Sequence, residues 1–253
     1  MKAFFFLFSF LIFISCSIYS RNSLEKLIKK GDQFFRRSEY SLAYSWYFKA
    51  FEIHPTSEIP YYKIAQCLMQ IREFDKSIYW VNKSLSLNPS SSQAYHTKGL
   101  IHIYRHDYPS AMEYIQKALE LDSNNYNALC NLGILYSFME NHSAAIEIYL
   151  QATRINPSDA TNYYHIGLSY YDKQEFENAL FYFNLSVKKD SSFDRNYYKI
   201  GVIYKNYGNK LLWEKYLIKA ARKGNPLARY DLKKERIPWQ LKPYDRHHQN
   251  ISR

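Results

Sequence analysis

The chain has 253 residues, a formal net charge of +11, seven glycines and three cysteines. Three cysteines are too few for a disulfide framework or a paired metal motif. Seven glycines leave little for a phosphate-binding loop, and no nucleophile elbow is present. The composition therefore argues against an enzyme, and neither a cofactor nor a small-molecule substrate is expected.

The N-terminal segment, residues 1–20, carries the pattern of an export signal. Lys2 is the only charged residue before Arg21, and an apolar stretch broken by Ser9 runs over residues 3–14. A charged start followed by such a stretch is typical of a signal peptide. The stretch is short for a membrane span, which needs about 20 apolar residues.

A cysteine follows this apolar stretch. The segment Phe13-Ile14-Ser15-Cys16-Ser17 resembles the lipobox of bacterial lipoproteins, in which cleavage precedes a cysteine that becomes lipid-modified. The resemblance implies a signal peptide over residues 1–15, a lipidated Cys16 and a tether over residues 16–23. It also implies export to a bacterial cell envelope and anchoring to a membrane there. Phe13 stands where Leu is usual, so plain secretion and an uncleaved signal anchor stay open.

A regular spacing of 34 positions then repeats along residues 24–227. It relates three series of mostly small residues: Gly31, Ala65, Gly99, Gly133, Gly167 and Gly201; Ala43, Ser77, Ala111, Ala145, Ala179 and Trp213; Ala50, Ser84, Ala118, Ala152, Ser186 and Ala220. Apolar residues at i, i+3, i+4 and i+7 predict two helices in each period. Small residues predict close helix crossings, because packed helix axes lie only about 8–10 Å apart. The fixed period predicts a stacked array rather than one globular core.

The spacing within each period resembles the tetratricopeptide repeat. In the fourth period the matching residues are Leu132, Gly133, Tyr136, Ala145, Tyr149, Ala152 and Pro157. The resemblance implies an all-α fold: a right-handed superhelical solenoid of six tandem helix-turn-helix repeats with a C-terminal capping helix. The predicted repeats are 24–57, 58–91, 92–125, 126–159, 160–193 and 194–227, and residues 228–253 hold the capping helix and basic tail. Trp213 marks the sixth repeat as a modified terminal one, because array ends must cover an exposed core.

The resemblance also implies where a partner binds. In the family, ligand contacts come from the second, fifth, ninth, twelfth and thirteenth positions of the first helix of each repeat. These positions predict an aromatic and aliphatic groove with polar groups at its ends, best suited to an apolar peptide in the central and C-terminal repeats. In the first two repeats the ninth and thirteenth positions hold polar residues: Asp32, Arg36, Gln66 and Gln70. The predicted groove residues are Tyr62, His96, Tyr104, Ile134, Phe138, Tyr164, Leu168, Tyr171, Tyr198 and Val202. Aromatic residues are abundant throughout the chain, so packing roles for some of these side chains stay open.

The C-terminal segment carries much of the excess positive charge. Residues 222–253 contain nine basic and three acidic residues. A helix is predicted from about Pro226 to Arg236, and Lys233, Lys234 and Arg236 form a predicted basic patch there. Such a patch suits anionic lipid headgroups or an acidic partner. A solubilising cap is the simpler alternative.

Together these features predict a non-catalytic scaffold or adaptor lipoprotein. It would bind segments of other cell-envelope proteins in its groove and support assembly of an envelope complex. The alternative is a structural protein that self-associates or docks on lipid through its convex face and basic C-terminal end. No nucleic acid is expected as a partner. No metal site is expected either, since His102 and His106 have zinc-like spacing but lack further ligands.

Overall fold

A computed structural model describes residues 23–239 of the protein. Cys16, the predicted signal peptide, nearly all of the tether and the tail from residue 240 onward lie outside the described residues. Within residues 23–239 all regular secondary structure is helical, which confirms the predicted all-α repeat fold. In this part of the chain, no helix has the length and apolar character that crossing a membrane requires.

The helices within residues 23–239 follow one another at regular intervals. Residues 23–36 form α1. The others are α2 (Tyr40–Ile53), α3 (Glu58–Gln70), α4 (Phe74–Leu87), α5 (Ser92–Tyr104), α6 (Tyr108–Leu121), α7 (Tyr126–Phe138), α8 (His142–Ile155), α9 (Ala160–Asp172), α10 (Phe176–Lys189), α11 (Asp194–Asn206), α12 (Lys210–Arg222) and α13 (Pro226–Lys234). From α3 to α12, the starts of the odd-numbered helices and those of the even-numbered helices both follow the period of the sequence.

Two compact units divide the chain between Asn131 and Leu132, within α7. The first unit contains α1 to α6 and the beginning of α7. The second contains the rest of α7 and α8 to α13.

The three small-residue series lie in the cores of these units. Every member is buried, including Trp213. Each residue of the glycine series is followed 16 positions later by a fully buried side chain on the next helix: Tyr47, Val81, Ile115, Tyr149, Phe183 and Leu217. A Cβ built on Gly133 would lie 2.6 Å from the ring of Tyr149, and one on Gly167 would lie 2.6 Å from the ring of Phe183. At these crossings glycine leaves room for an aromatic ring on the paired helix.

Serine replaces alanine in these series where its hydroxyl has a backbone acceptor. The Ser77 hydroxyl donates to the carbonyl of Ala65 at 2.6 Å, and the Ser186 hydroxyl donates to the carbonyl of Ala160 at 2.7 Å. Burying a hydroxyl costs free energy unless it is hydrogen-bonded, and these hydroxyls are. Serine is therefore compatible with these close crossings.

The turn that joins the two helices of each repeat places one residue in the left-handed region. These residues are Ser38, Arg72, His106, Glu140, Gln174 and Gly208, with φ between 58° and 70°. They recur with the period of the repeat, and only the last is glycine. Left-handed backbone is unfavourable for a residue that carries a Cβ, so the other five turns hold a recurrent strain.

Replacing Gln174 with glycine is expected to stabilise the protein by about 0.5–1 kcal/mol. Glycine relieves the left-handed strain at φ 61°, which outweighs its larger loss of backbone entropy on folding. Urea denaturation measures the change. Gln116→Gly is the matched control, because it lies inside α6 and should cost about 1 kcal/mol. Destabilisation by both changes would contradict the strain at this turn.

Candidate partner-binding groove

A groove of about 640 Å³ lies along the odd-numbered helices of the first unit. Hereafter it is the N-terminal groove. Its lining residues are Asp32, Phe35, Arg36, Tyr62, Lys63, Gln66, Met69, Gln70, Gln93, His96, Leu100, Asn127 and Asn131. With the predicted repeat starts, they occupy the second, fifth, sixth, ninth, twelfth and thirteenth positions. These positions recur at steps of three or four residues and so share one helix face.

Side-chain amides dominate the polar part of this groove: Gln66, Gln70, Gln93, Asn127 and Asn131. Gln66 Nε2 donates to the Thr97 hydroxyl at 3.1 Å, and this contact fixes its orientation. The amides of Gln93 and Asn127 make no hydrogen bond to any residue between 23 and 239. Both are exposed and so present unused donors and acceptors to a ligand.

His96 and Asn131 form a fixed pair in the wall of the groove. Asn131 Nδ2 lies 2.8 Å from the carbonyl oxygen of Asn127, so it must be the donor nitrogen. The same nitrogen lies 2.9 Å from His96 Nε2, which therefore accepts the second hydrogen bond. His96 is held as the neutral tautomer with its proton on Nδ1. Asn131 Oδ1 accepts no hydrogen bond within the described residues and remains open to a ligand N–H group.

Charged residues mark the end of the groove at α1. Asp32 Oδ1 accepts hydrogen bonds from the Tyr47 hydroxyl at 2.5 Å and from Lys63 Nζ at 2.8 Å. Burial, together with this hydrogen bond to Asp32, raises the pKa of Tyr47. Arg36 is exposed and makes no ion pair within residues 23–239. Since the Lys63 charge is matched by Asp32, Arg36 is the groove cation left for a ligand.

The stability of the protein is expected to fall below neutral pH because of His96. Burial lowers the pKa of His96 to about 4, whereas the unfolded chain titrates near 6.5. Below pH 6.5 the unfolded chain therefore binds a proton that the folded protein does not, and the free energy of unfolding decreases as pH falls towards 4. Between pH 6.5 and 5 the expected loss is about 2 kcal/mol.

Urea denaturation of wild type and His96→Gln over this pH range measures the effect. The variant should show a shallower pH dependence, because glutamine offers Asn131 an acceptor that does not titrate. Burial also lowers the pKa of His165, but His165 is present in both proteins and cancels in the difference. Equal pH slopes would show that His96 makes no such contribution.

Family models of the tetratricopeptide repeat match residues 90–158 and residues 160–191. These segments contain helices α5 to α10, with the repeated crossings described above. The chain is a tetratricopeptide repeat protein. The resemblance to the tetratricopeptide repeat is thereby confirmed, while its extent over residues 24–227 and the individual repeat boundaries stay predictions.

Solved structures of tetratricopeptide repeat proteins have the same fold. YrrB, described as having an unusual peptide-binding site, aligns with a TM-score of 0.60 and 24% identity over 74% of this chain and 97% of its own. PilF of Pseudomonas aeruginosa aligns with a TM-score of 0.72 and 17% identity, covering 85% of this chain and 99% of its own. PilW, described as a type IV pilus biogenesis factor, aligns with a TM-score of 0.70 and 18% identity, covering 83% of this chain and 98% of its own. No curated protein matches the sequence.

In the first unit of this tetratricopeptide repeat protein, two of the predicted groove residues line the N-terminal groove. They are Tyr62, which is half-buried, and His96, which is only 4% exposed. Tyr104 is exposed and its hydroxyl lies 3.5 Å from Gln70 Nε2. Amides and charged groups occupy most positions of this groove, which lies at the N-terminal end of the array. The aromatic and aliphatic surface expected in the central and C-terminal repeats stays a prediction.

In the second unit, the predicted groove residues differ widely in accessibility. Phe138 is 63% exposed, whereas Tyr164 is 7% exposed and packs against Phe183 and Phe193. Little of the Tyr164 ring is therefore left for a partner. The others are half-buried, and Tyr198 also donates to Asp231 Oδ2 at 3.2 Å. They are Ile134, Leu168, Tyr171, Tyr198 and Val202.

Four polar residues of the N-terminal groove are absent from the sequence prediction: Lys63, Gln93, Asn127 and Asn131. Lys63 and Asn131 stand at the sixth position, which the family pattern did not include. Gln93 and Asn127 stand at the second position, which the family pattern includes, but the prediction favoured aromatic side chains. Recurrence of amides on one helix face is the signal that indicates them.

The remaining sites considered in the sequence are the histidine pair at α5 and the basic patch at the end of α13. His102 Nδ1 lies 2.8 Å from Asp107 Oδ2, while His106 lies in the turn after α5. No group of three or more His, Cys, Asp or Glu side chains is arranged to hold a metal within residues 23–239. Lys233 and Lys234 end α13 and Arg236 follows it, all three exposed.

Proposed function

We propose that this protein is a non-catalytic adaptor that binds a polypeptide segment in its N-terminal groove. The observation that carries the proposal is the set of unused amides on one face of the odd-numbered helices. Gln93, Asn127 and Asn131 Oδ1 all face the groove without a partner among the described residues. Polar groups arranged in this way bind a ligand that is rich in both donors and acceptors.

An extended peptide backbone meets this requirement, because each residue offers one N–H donor and one C=O acceptor. Side-chain amides carry both functions and can pair with such a backbone without reading its side chains. Arg36 adds a charged contact at the α1 end, where an acidic side chain of the partner would form a charge-assisted hydrogen bond. The proposed ligand is thus an extended, polar segment with at least one acidic residue.

The proposed setting is a bacterial cell envelope, with the protein held at a membrane through a lipidated Cys16. The lipobox-like segment and the apolar residues 3–14 support this setting. In that setting the groove would hold segments of other envelope proteins and bring them together during assembly of a complex. The peptide-binding site of YrrB and the part of PilW in type IV pilus biogenesis are compatible with such a role.

Site-specific photocrosslinking in cells tests this function. A photoreactive phenylalanine replaces Gln93 in the groove, where the side chain makes no internal hydrogen bond. The matched position is Gln116, which is exposed on α6. We expect adducts with a defined segment of another protein from position 93 and none from position 116. Adducts from position 116 alone, or none from position 93, would overturn the proposal.

A further inference from the structure

The last helix within residues 23–239, α13, exposes apolar side chains where a polar surface is expected. Terminal elements of repeat arrays need a polar outer face for solubility. On α13, Ala228 and Leu232 are buried against the preceding helix. Leu227 is nevertheless 56% exposed and Tyr230 is 66% exposed, and they share a helix face with Lys234. This face is amphipathic rather than polar.

A pocket of about 680 Å³, lined by another side of α13 and the residues after it, carries three cations. They are Arg229, Lys233 and Arg236, and Trp239 completes the wall. Of these, Lys233 stands three positions after Tyr230 and so neighbours it on the helix surface. None of the three forms an ion pair within the described residues. Asp231 on the same helix accepts a hydrogen bond from the Tyr198 hydroxyl, and Glu235 is exposed.

The wall of this pocket is held in place by two arginines. Arg229 Nε donates to the carbonyl of Ala221 at 3.1 Å, and its guanidinium lies 5.0 Å from the centre of the Trp239 ring. Arg222 Nε donates to the carbonyl of Trp239 at 3.2 Å. The indole is therefore positioned beside the cations, and its apolar body and polar N–H suit a membrane–water interface.

We infer that this end of the protein docks on the surface of an anionic lipid bilayer. The pocket cations would contact lipid phosphates, while Leu227, Tyr230 and Trp239 would enter the headgroup region. Cations that flank a few large apolar and aromatic side chains characterise helices that lie in the interface plane. The inference is independent of the N-terminal groove and of the lipidation of Cys16.

Charge also argues against the C-terminal tail as the occupant of the pocket. Residues 240–253 contain three basic residues and one acidic residue, Asp245. A segment with net positive charge is a poor ligand for three cations and instead adds to their field. An anionic membrane surface attracts both, with about 1 kcal/mol for each basic residue near the surface.

Vesicle binding of the full chain tests the inference. Affinity is measured for phosphatidylcholine vesicles with and without phosphatidylglycerol. Residues 3–14 are apolar apart from Ser9 and contribute to both affinities, so the difference between the two binding free energies removes their contribution. Wild type should prefer anionic vesicles. Changing Arg229, Lys233 and Arg236 to glutamine should reduce that preference by on the order of a hundredfold. The variant with only Lys233→Gln and Arg236→Gln retains the contacts of Arg229 and should lose a large part of the preference.

The matched control removes the same charges elsewhere. Arg37, Arg72 and Lys188 are exposed and lie outside the pocket, and their change to glutamine should leave most of the preference intact. Leu227→Gln with Tyr230→Gln should weaken binding to anionic vesicles by about tenfold. An equal loss in the control, no anionic preference in wild type, or tighter binding to polyglutamate than to anionic vesicles at equal charge concentration would each overturn the inference. The last result would indicate an acidic polypeptide as the ligand.

Discussion

Replacing Gly167 with alanine is expected to lower the free energy of unfolding by about 3 kcal/mol. The same replacement at Gly201 should be neutral or stabilising by up to about 1 kcal/mol, because alanine is the better helix former. The two glycines are equivalent in the repeat and lie inside helices α9 and α11. The difference between them comes from the residue on the paired helix.

The distances to that neighbour determine the sign of the effect. A Cβ on Gly167 would lie 2.6 Å, 2.7 Å and 3.1 Å from three atoms of the Phe183 ring. Phe183 is fully buried and also packs against Tyr164, so its ring has nowhere to move. A Cβ on Gly201 would meet its nearest atoms at 3.5 Å, which is ordinary van der Waals contact.

Urea denaturation of both variants measures these changes, and a second substitution tests their cause. Gly167→Ala combined with Phe183→Val recreates the Ala65 and Val81 combination found in the second repeat, where both residues are fully buried. The double variant should therefore lose less stability than the sum of the two single variants, by more than about 1 kcal/mol. Additive losses would show that the clash with the ring is not the cause.

The helix pairs and their close crossings could be predicted from the sequence, because both depend on local periodicity and residue size. The small-residue series already contain the information that Gly133 and Gly167 face a neighbouring helix. The size of the residue that faces each glycine on the paired helix could also be predicted from the sequence. Tyr149 and Phe183 each follow their glycine by 16 positions. Period and side-chain volume were sufficient for this part of the fold.

The accessibility of the predicted groove residues could not be derived in the same way. Tyr164 stands at a position that faces ligands in the family, yet the ring of Phe193 covers it at a centroid distance of 4.9 Å. Tyr164 lies on α9, whereas Phe193 lies beyond the next helix, in the connection between α10 and α11. A repeat position specifies the helix face that carries a side chain. Burial depends in addition on residues that come from elsewhere in the fold.

The free amides of the N-terminal groove could not be identified from the sequence either. Sequence reasoning weighted aromatic residues, which are common at binding hot spots. Tyr62 and His96 do lie in the groove, but His96 is covered and serves to hold Asn131. The groups left for a ligand are consequently amides. Identifying them required the hydrogen bonds, which separate the amides used by the fold from those that remain free.

The variant Gln93→Met with Asn127→Leu is expected to weaken partner binding by tenfold to a hundredfold while leaving stability unchanged. Neither amide makes a hydrogen bond within residues 23–239, so the fold does not depend on them. Methionine and leucine keep similar volume but cannot pair with a peptide backbone. Each lost hydrogen bond is worth about 0.5–1.5 kcal/mol, and two of them give the expected range.

The measurement uses a synthetic peptide with the sequence of the segment crosslinked at position 93, titrated calorimetrically into wild type and variant. Gln33→Met with Gln116→Met is the control, because both glutamines are exposed and lie outside the groove. The control should bind the peptide like wild type. Arg36→Gln should weaken binding in addition, and this loss should disappear when the acidic residue of the peptide is replaced by its amide. Unchanged affinity in the Gln93, Asn127 variant would mean that the peptide is not held through these amides, and the proposed mode of backbone recognition would be wrong.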